Sequence, residues 1–370
     1  MERNILPVAV LILLAVAGSS STEFTLHEGW SYEGKLIDAG YLVDVTVVQL
    51  DDGRYRLYGE DANQSERAVV SYISDDGLNF QLENGSRLIG AGLSSFILKP
   101  PEGGFRLYYT ETAGFPGSGN IRSFVSDDGL NFTLEAGNRL TYSGSGYEAH
   151  GITGAKIIQL ANGSYRMYYI GRDNNDTDRE LSALSSDAFN WTRESGVRIN
   201  TSGSCSGNGL IGIGDGVPII DSEGTHHLYT AALRCNDGFI NGIWDFTSSD
   251  GLTFTLGSTP LIGSYTTNGT EVNPEDAAAI MINSEIRIYF APYGAQGLII
   301  PESGIHSVFF NGTSYTTTTT VMEDECPLIG DEDPCDGTVS DFELLAYIED
   351  WVTGEVSDFD LLEAIENWSG

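Results

Sequence analysis

A seven-residue phrase that recurs along the chain constrains the fold more than any other feature. It reads Ser-Asp-Asp-Gly-Leu-Asn-Phe in its first two copies, and the four copies begin at Ser74, Ser126, Ser185 and Ser248. They lie 52, 59 and 63 residues apart, which is the size of a supersecondary unit. Ser and Asp hydrogen-bond nearby backbone and Gly supplies a positive φ, so we interpret the phrase as a tight turn of the scaffold. The third copy has Ala188 at the glycine position, and its turn is expected to differ.

An apolar strand, a tight turn and an aromatic strand precede each copy. This strand–turn–strand pattern occupies residues 47–58 in the first repeat and returns at 96–109, 157–169, 217–229 and 279–290. Each unit therefore reads as four antiparallel strands joined by hairpins. Five units predict an all-β fold, a five-bladed β-propeller of four-stranded antiparallel blades over residues 37–315, with no clear copy of the turn in the fifth blade. The recurring Arg before Leu-Tyr or Met-Tyr alternates outward, so we expect it to be solvated.

The charge balance restricts the partners. The chain has 53 acidic and 18 basic residues, a formal net charge of −35. Phosphate binding needs clusters of Lys and Arg, so this composition excludes nucleic acid and anionic membrane as partners. The acids are spread along the whole chain, which favours a halophile-like protein kept soluble in high salt over a local acidic patch.

The N-terminal residues predict export. Residues 1–17 combine Arg3, an apolar run over residues 5–14 and the small-residue ending Ala-Val-Ala. This is the pattern of a secretory signal peptide, with an uncleaved anchor as the alternative. We therefore expect a secreted, extracellular protein that does not insert into the membrane after signal cleavage.

Four cysteines agree with an oxidising compartment. The economical pairing is Cys205 with Cys235 and Cys326 with Cys335, which gives two structural disulfides. A zinc site is the weaker alternative, because no C-x-x-C spacing or nearby His pair occurs. Asn-x-Ser/Thr sequons recur along the chain and support a glycosylated exterior.

The C-terminal part differs from the repeats. A threonine-rich, acidic stretch over residues 316–336 predicts a linker, and residues 337–369 contain a duplication at an offset of 17. Ser340 and Glu343 have the spacing of a helix start in which side chains satisfy the first free amides. Apolar residues follow at helical spacing in both copies. We therefore predict a small C-terminal α-helical hairpin.

The repeats resemble the five-bladed β-propeller glycosidase clan of arabinanases, β-xylosidases, invertases and levansucrases. The resemblance covers most of the chain and rests on the blade count and the two recurring phrases, and sialidase-like propellers are the nearby alternative. It implies a carbohydrate-active protein with a glycan or polysaccharide as partner. It also implies that catalytic acids lie at the start of the innermost strands, around the central axis.

The resemblance implies one axial position in each blade, nine residues before the hairpin residue that is Gly53 in the first. These positions hold Asp44, Ser94, Gly154, Asp215 and Glu275. An arabinanase-like enzyme has its general base at the first position, an Asp at the second and a Glu acid at the third. The chain keeps the first of these and departs at the other two.

Other acids near the predicted axis keep a hydrolytic site open. An inverting glycosidase needs one ionised carboxylate to activate water and one protonated carboxyl to release the leaving group. We expect Asp44 to be the base, and Glu275, Glu148 or both to supply the acid. Asp215 is a further catalytic candidate.

Two further residues, His150 near Glu148 and Asp276 beside Glu275, are candidates for substrate binding. The alternative is that the axial acids cap strands or bind a structural Ca²⁺ in the channel. No other cofactor is expected, and no metal ligand is assigned.

The tail resembles a degenerate dockerin-like module, a pair of loop-helix units at the C-terminus of exported proteins. A dockerin loop supplies calcium oxygens from an acidic run that ends in glycine. Asp336, Gly337 and Glu343 fit the first loop, but Pro334 stands at a ligand position and the second loop has no acids. The resemblance implies docking to a cell-surface or scaffold protein, with weak or absent calcium binding.

Two functions follow. The first is a secreted glycoside hydrolase that uses axial carboxylates in general acid/base hydrolysis. The second is a non-catalytic glycan-binding or cell-surface adhesion module displayed through its docking helices. Ser94 and Gly154 favour the second, and the acids near one axis favour the first.

Overall fold

The structure is a computed structural model, and it describes residues 24–62, 67–90, 93–112, 119–202, 210–235, 239–267, 270–294 and 303–310. The chain divides into two compact units, Met1–Gly312 and Thr313–Gly370. The predicted signal peptide, linker and helical hairpin lie outside the described residues, as do Cys205, Cys326, Cys335 and the side chain of Cys235. None of the described helical segments is long and apolar enough to span a membrane.

The described residues form short strands separated by turns, with no α-helix among them and one 3-10 turn at Gly146–Glu148. The strands, in chain order, are β1 (Thr25–Leu26), β2 (Trp30–Ile37), β3 (Leu42–Gln49), β4 (Tyr55–Asp61), β5 (Ala68–Ser74), β6 (Gln81–Leu82), β7 (Leu88–Ile89), β8 (Leu93–Leu98), β9 (Phe105–Thr112), β10 (Gly119–Ser126), β11 (Thr133–Leu134), β12 (Gly151–Gln159), β13 (Tyr165–Arg172), β14 (Asp178–Ser185), β15 (Thr192–Arg193), β16 (Leu210–Ile213), β17 (Val217–Ile220), β18 (His226–Cys235), β19 (Phe239–Ser248), β20 (Thr255–Leu256), β21 (Ile262–Gly263), β22 (Tyr265–Thr267), β23 (Thr270–Ile282), β24 (Glu285–Gly294) and β25 (Ile305–Phe310).

These strands pair into five antiparallel sheets. Sheet one contains β3–β7, sheet two β8–β11, sheet three β12–β15, sheet four β16–β21 with β1, and sheet five β22–β25 with β2. Sheets one to four each contain one copy of the recurring turn. Sheet five has no copy in the described residues, and its outer strand is the N-terminal β2, paired with β25. The fold is therefore all-β and propeller-like, with four complete repeats where the sequence predicted five.

The hydrophobic core is divided among the boundaries between sheets. Every sheet carries the same buried tyrosine in its second strand, and these five residues fall in five separate clusters: Tyr58, Tyr108, Tyr168, Tyr229 and Tyr289. Each cluster joins consecutive sheets, and the cluster of Tyr289 joins sheet five to sheet one. Burial at each boundary thus holds the sheets in cyclic order.

The recurring turn fastens one sheet to the next. Arg56 Nη1 donates to the Asp128 carbonyl at 2.9 Å, and the Tyr58 hydroxyl donates to the Gly129 carbonyl at 2.9 Å. The same contacts link sheets two to three, three to four and five to one, through Arg106 and Tyr108, Arg166 and Tyr168, and Arg287 and Tyr289. The expectation that the recurring Arg is solvated is wrong, because Arg56 is only 6% exposed. The next sheet covers the face of the strand on which the Arg lies.

The third copy of the turn keeps the geometry of the others. Ala188 adopts a φ of 54° at the glycine position. Asp187 Oδ1 accepts the backbone amides of Phe189 and Asn190 at 2.9 and 2.8 Å, as the equivalent Asp does in the other copies. These hydrogen bonds and the contact from Tyr108 hold the alanine in the left-handed region. The expected difference is confined to one contact: the glycine amides of the other copies donate to their first serine hydroxyl at 2.9–3.0 Å, and Ala188 makes no such bond among the described residues.

Candidate functional site

The innermost strand of every sheet is interrupted at the same register. In sheets one, two, three and five the ladder shifts at a β-bulge, and the bulged residues with positive φ are Asp44 (51°), Ser94 (57°), Gly154 (68°) and Asp276 (47°). In sheet four the inner strand is broken between β16 and β17, and Asp215 lies in the break. Bulges re-aim side chains away from the regular ladder. Each inner strand thus presents one residue in a special orientation.

The residue at this register in sheet five is Asp276, and the prediction of Glu275 was one residue off. Gln49 pairs with Tyr55 in sheet one, whereas Met281 pairs with Ile286 in sheet five. The fifth hairpin is therefore one residue shorter, so a count of nine residues from the turn overshoots by one.

Four of the predicted site residues line one cavity of about 70 Å³: Asp44, Asp215, Glu275 and Asp276. The rest of its lining is Lys156, Gly214, Ala231 and Ala277. These side chains come from sheets one, three, four and five, so the cavity lies where the inner strands converge. In the ranges that the structure describes, no group of three or more His, Cys, Asp or Glu side chains is arranged to hold a metal ion.

The crowded acids disfavour their own ionisation. Burial raises the pKa of Asp44 to about 6, and the neighbouring Asp215 carboxylate adds to the shift while Lys156 opposes it. Burial, with repulsion from Asp44 and Glu275, raises the pKa of Asp276 well above its ordinary value. Glu275 keeps contact with solvent, yet the protein packed around it raises its pKa as well. The cavity therefore contains carboxyls that hold protons at pH values where ordinary ones do not.

Lys156 is the cationic side chain of this cavity, and sequence reasoning missed it. It lies on β12 with 3% of its side chain exposed, and its Nζ is 3.7 Å from Asp215 Oδ2. Burial lowers its pKa, but attraction by Asp215, Asp44 and Asp276 outweighs burial and the net shift is upward. The sequence did contain a signal for it: Lys156 stands two residues after Gly154, and the equivalent position of sheet two, two residues after Ser94, holds the apolar Phe96.

Asp215 occupies the space beside Gly154. A Cβ built on Gly154 collides with the Asp215 carboxylate. The acid of sheet four therefore lies where a side chain on sheet three would begin. This explains in physical terms why the third axial position holds glycine.

Two more buried carboxyls flank the cavity. Glu60 accepts the Ser95 amide at 2.9 Å and pairs with Arg67 at 3.4 Å, and burial, reinforced by Asp44, raises its pKa to about 8. Glu180 is fully buried, and burial raises its pKa well above the ordinary value, with Asp215 adding to the shift. Alternation alone does not distinguish these strand residues from solvated ones, so no sequence pattern indicated them.

Glu148 and His150 are not in the cavity lining. The Glu148 carboxylate accepts hydrogen bonds from Tyr169 at 2.8 Å, from Arg193 at 2.8 and 2.7 Å and from the Ser143 amide at 2.9 Å. Burial raises its pKa, but these donors outweigh burial and the net shift is downward. His150 Nδ1 lies 3.0 Å from Asp176 Oδ1 at the surface. The catalytic role of Glu148 and the binding role of His150 stay predictions, and the structure brings neither to the other four residues.

No protein-family model matches the sequence, and no curated protein matches it. Solved structures of similar fold include a thermostable family-43 glycoside hydrolase, with 16% identity, coverage of 72% of this chain and 88% of that one, and a TM-score of 0.55. An endo-1,4-beta-xylanase from Bacteroides thetaiotaomicron has 16% identity, coverage of 74% and 91%, and a TM-score of 0.54. A structure described as an RGII complex has 12% identity, coverage of 77% and 93%, and a TM-score of 0.57. At these identities the likeness concerns the fold, which is that of glycosidase propellers.

Proposed function

We propose that the chain is a glycoside hydrolase whose site is the cavity at the convergence of the inner strands. The observation that carries the proposal is the meeting of Asp44, Asp215, Glu275 and Asp276 in one cavity together with the shifted pKa values of three of them. Hydrolysis of a glycosidic bond needs a protonated and an ionised carboxyl in the same site. The similar folds of glycoside hydrolases support the same conclusion.

Within this proposal Glu275 is the general acid. It keeps solvent contact, and its raised pKa keeps a proton available for the leaving oxygen. Asp44 is the general base: its pKa of about 6 leaves it ionised above that pH, and it accepts the Ser94 amide at 3.2 Å, which fixes the carboxylate. Lys156 pairs with Asp215 and limits the negative charge that the base meets.

The experiment compares wild type with Asp44→Asn and Glu275→Gln on arabinan, xylan and their oligosaccharides. Both substitutions keep the size of the side chain and remove its acid. We expect product release by wild type and a loss of at least about 100-fold in each variant, the usual scale of a general acid/base contribution. Undiminished hydrolysis by both variants would show that these residues are not the catalytic pair.

The second candidate is a non-catalytic glycan-binding module, favoured by the hydroxyl at the axial position Ser94 and by the two threonine hydroxyls near it. Thr110 and Thr153 side chains lie 3.1 Å apart, and Thr153 donates to Ser94 at 3.5 Å, where the resemblance implies an acid. Such a site binds sugar hydroxyls without transferring protons to a leaving group. Saturable binding by wild type with no product release would favour this candidate.

We further propose that the protein is secreted and attached to a cell surface or scaffold. The N-terminal pattern of residues 1–17 supports secretion, and the duplicated residues 337–369 support docking to a cell-surface or scaffold protein. Detection of the protein in the culture medium or on the cell surface tests this setting.

A further inference from the structure

A second, larger space adjoins the acidic cavity between sheets four and five. We call it the slot, and its volume is about 230 Å³. Its walls come from β16, β18 and β19 of sheet four and from β23 of sheet five. Gly214, Ala231 and Glu275 line both the slot and the acidic cavity. The two spaces are therefore neighbours, with the proposed acid between them.

The slot exists because the fourth repeat has a small residue where the first three have larger ones. Two residues after the recurring tyrosine, sheets one to three have Glu60, Thr110 and Ile170, all buried. Glu60 fills its boundary by reaching the Ser95 amide of sheet two, and Thr110 accepts the Gly154 amide of sheet three. The fourth repeat has Ala231 at this register.

The boundary between sheets five and one is filled by another route. Sheet five also has an alanine, Ala291, at this register, but Tyr293 crosses the boundary and donates to the Leu42 carbonyl at 2.6 Å. Sheet four has Leu233 in the position of Tyr293, and it forms a wall of the slot. Among the five boundaries of the described sheets, the space beside Ala231 thus stays open.

Size and chemistry indicate what the slot holds. An engineered cavity of about 150 Å³ admits a benzene ring, so the slot has room for one sugar ring with its hydroxyls, while the acidic cavity has room only for water or a single substituent. Asn241 and Asn273 supply polar side chains, and Asn273 Oδ1 is buried with no hydrogen-bond donor among the described residues. The described residues of the slot lining include no Lys, Arg or His, so an anionic sugar would find no cationic partner there.

We propose that the slot between sheets four and five is a subsite for one uncharged sugar residue, placed next to Glu275. The inference rests on the proposed function. It implies that the ligand has at least two linked residues, since only then does a glycosidic oxygen lie beside the acid while one ring fills the slot.

The first test asks whether the slot is open, and it needs no sugar. Ala231→Ile introduces the residue that the third repeat has at this register, and Ala231→Ser is the matched small substitution. If the space is open, the isoleucine fits and the melting temperature stays within about 2 °C of wild type, as for the serine variant. Overpacking of a closed boundary would lower it by several degrees and overturn the inference.

The second test asks whether sugars use the slot. Calorimetry measures the affinity of xylose, xylotriose, arabinose, arabinotriose and trigalacturonic acid for wild type and both variants, with Leu134→Ala, an exposed residue of sheet two, as the unrelated control. Every chain in this titration also carries Asp44→Asn, so that no sugar is hydrolysed while its binding is measured. We expect wild type, Ala231→Ser and Leu134→Ala to bind a neutral trisaccharide about 10-fold tighter than its monosaccharide. Ala231→Ile is expected to lose that preference.

The outcomes separate the two proposals. An unchanged trisaccharide preference in Ala231→Ile, or tighter binding of trigalacturonic acid than of the neutral sugars, overturns the slot assignment and leaves the proposed function standing. Binding of none of the sugars by wild type contradicts the proposed function, and the slot assignment falls with it.

Discussion

Replacing Asp44 with Asn is expected to stabilise the protein while it removes hydrolysis. Asp44 has a pKa of about 6 in the fold against an ordinary value of 3.8. Because each pKa unit corresponds to about 1.4 kcal/mol, ionising this carboxyl costs the fold roughly 3 kcal/mol above pH 6. Asparagine keeps an oxygen for the Ser94 amide and carries no charge.

The direction of the Asp44 pKa shift determines how the stability of the protein depends on pH. A carboxyl whose folded pKa is raised binds its proton more tightly in the native state, so the stability of wild type falls as pH rises from about 4 through 6. The stability difference between Asp44→Asn and wild type should therefore be small at pH 4 and grow to a few kcal/mol at pH 7.5. Thermal denaturation at several pH values measures it as a rise of several degrees in melting temperature.

The control is Asp75→Asn, an exposed carboxylate of the first recurring turn, which is expected to change stability little at any pH. A stability difference for Asp44→Asn that is constant from pH 4 to 7.5 would refute the idea that burial and neighbouring acids destabilise the ionised Asp44. A variant less stable than wild type at pH 7.5 would refute it equally.

Three further predictions concern other parts of the molecule. Lys156→Met leaves the cavity acids without their cation, so it should destabilise the protein by about 3–5 kcal/mol in urea denaturation. Asp215→Asn in the same chain should restore part of that loss, and an unaltered urea midpoint in Lys156→Met would contradict the pairing. Asp128→Ala removes the acceptor of two backbone amides in the second turn and should cost about 1–2 kcal/mol, with no effect on sugar binding; a selective loss of binding would place that turn in the site. Raising NaCl from 0.1 to 2 M should raise the melting temperature, because salt screens the repulsion among the acidic side chains of a protein with net charge −35. A melting temperature that falls with NaCl would argue against a halophile-like surface.

The repeats made the fold class predictable, whereas the contacts between repeats were not. The recurrence of turn and hairpin phrases was enough to predict antiparallel units from the sequence alone. Alternation in a strand shows that Arg56 and Leu57 face opposite sides, but it does not show whether a side meets water or another sheet. The burial of Arg56 follows from the cyclic packing, to which residues 72 positions away contribute.

The site was predictable where it depended on register. Counting back from the hairpins led to Asp44 and Asp215, because the first and fourth hairpins have the same length. It failed at Asp276, because the fifth hairpin is one residue shorter. The placement of Glu148 depends on Arg193, which is 45 residues away in sequence, so no local pattern indicates that its carboxylate is already engaged.

The pairing of β2 with β25 has a consequence for how the protein is made. The first long strand of the chain finds its partner only after residue 310 has been synthesised, so the last sheet cannot be completed on a partial chain. Sheets one to four contain β1 and β3–β21, and all of these strands precede β22 in the chain. Deleting residues 24–37 should therefore leave soluble early repeats but prevent a cooperative melting transition.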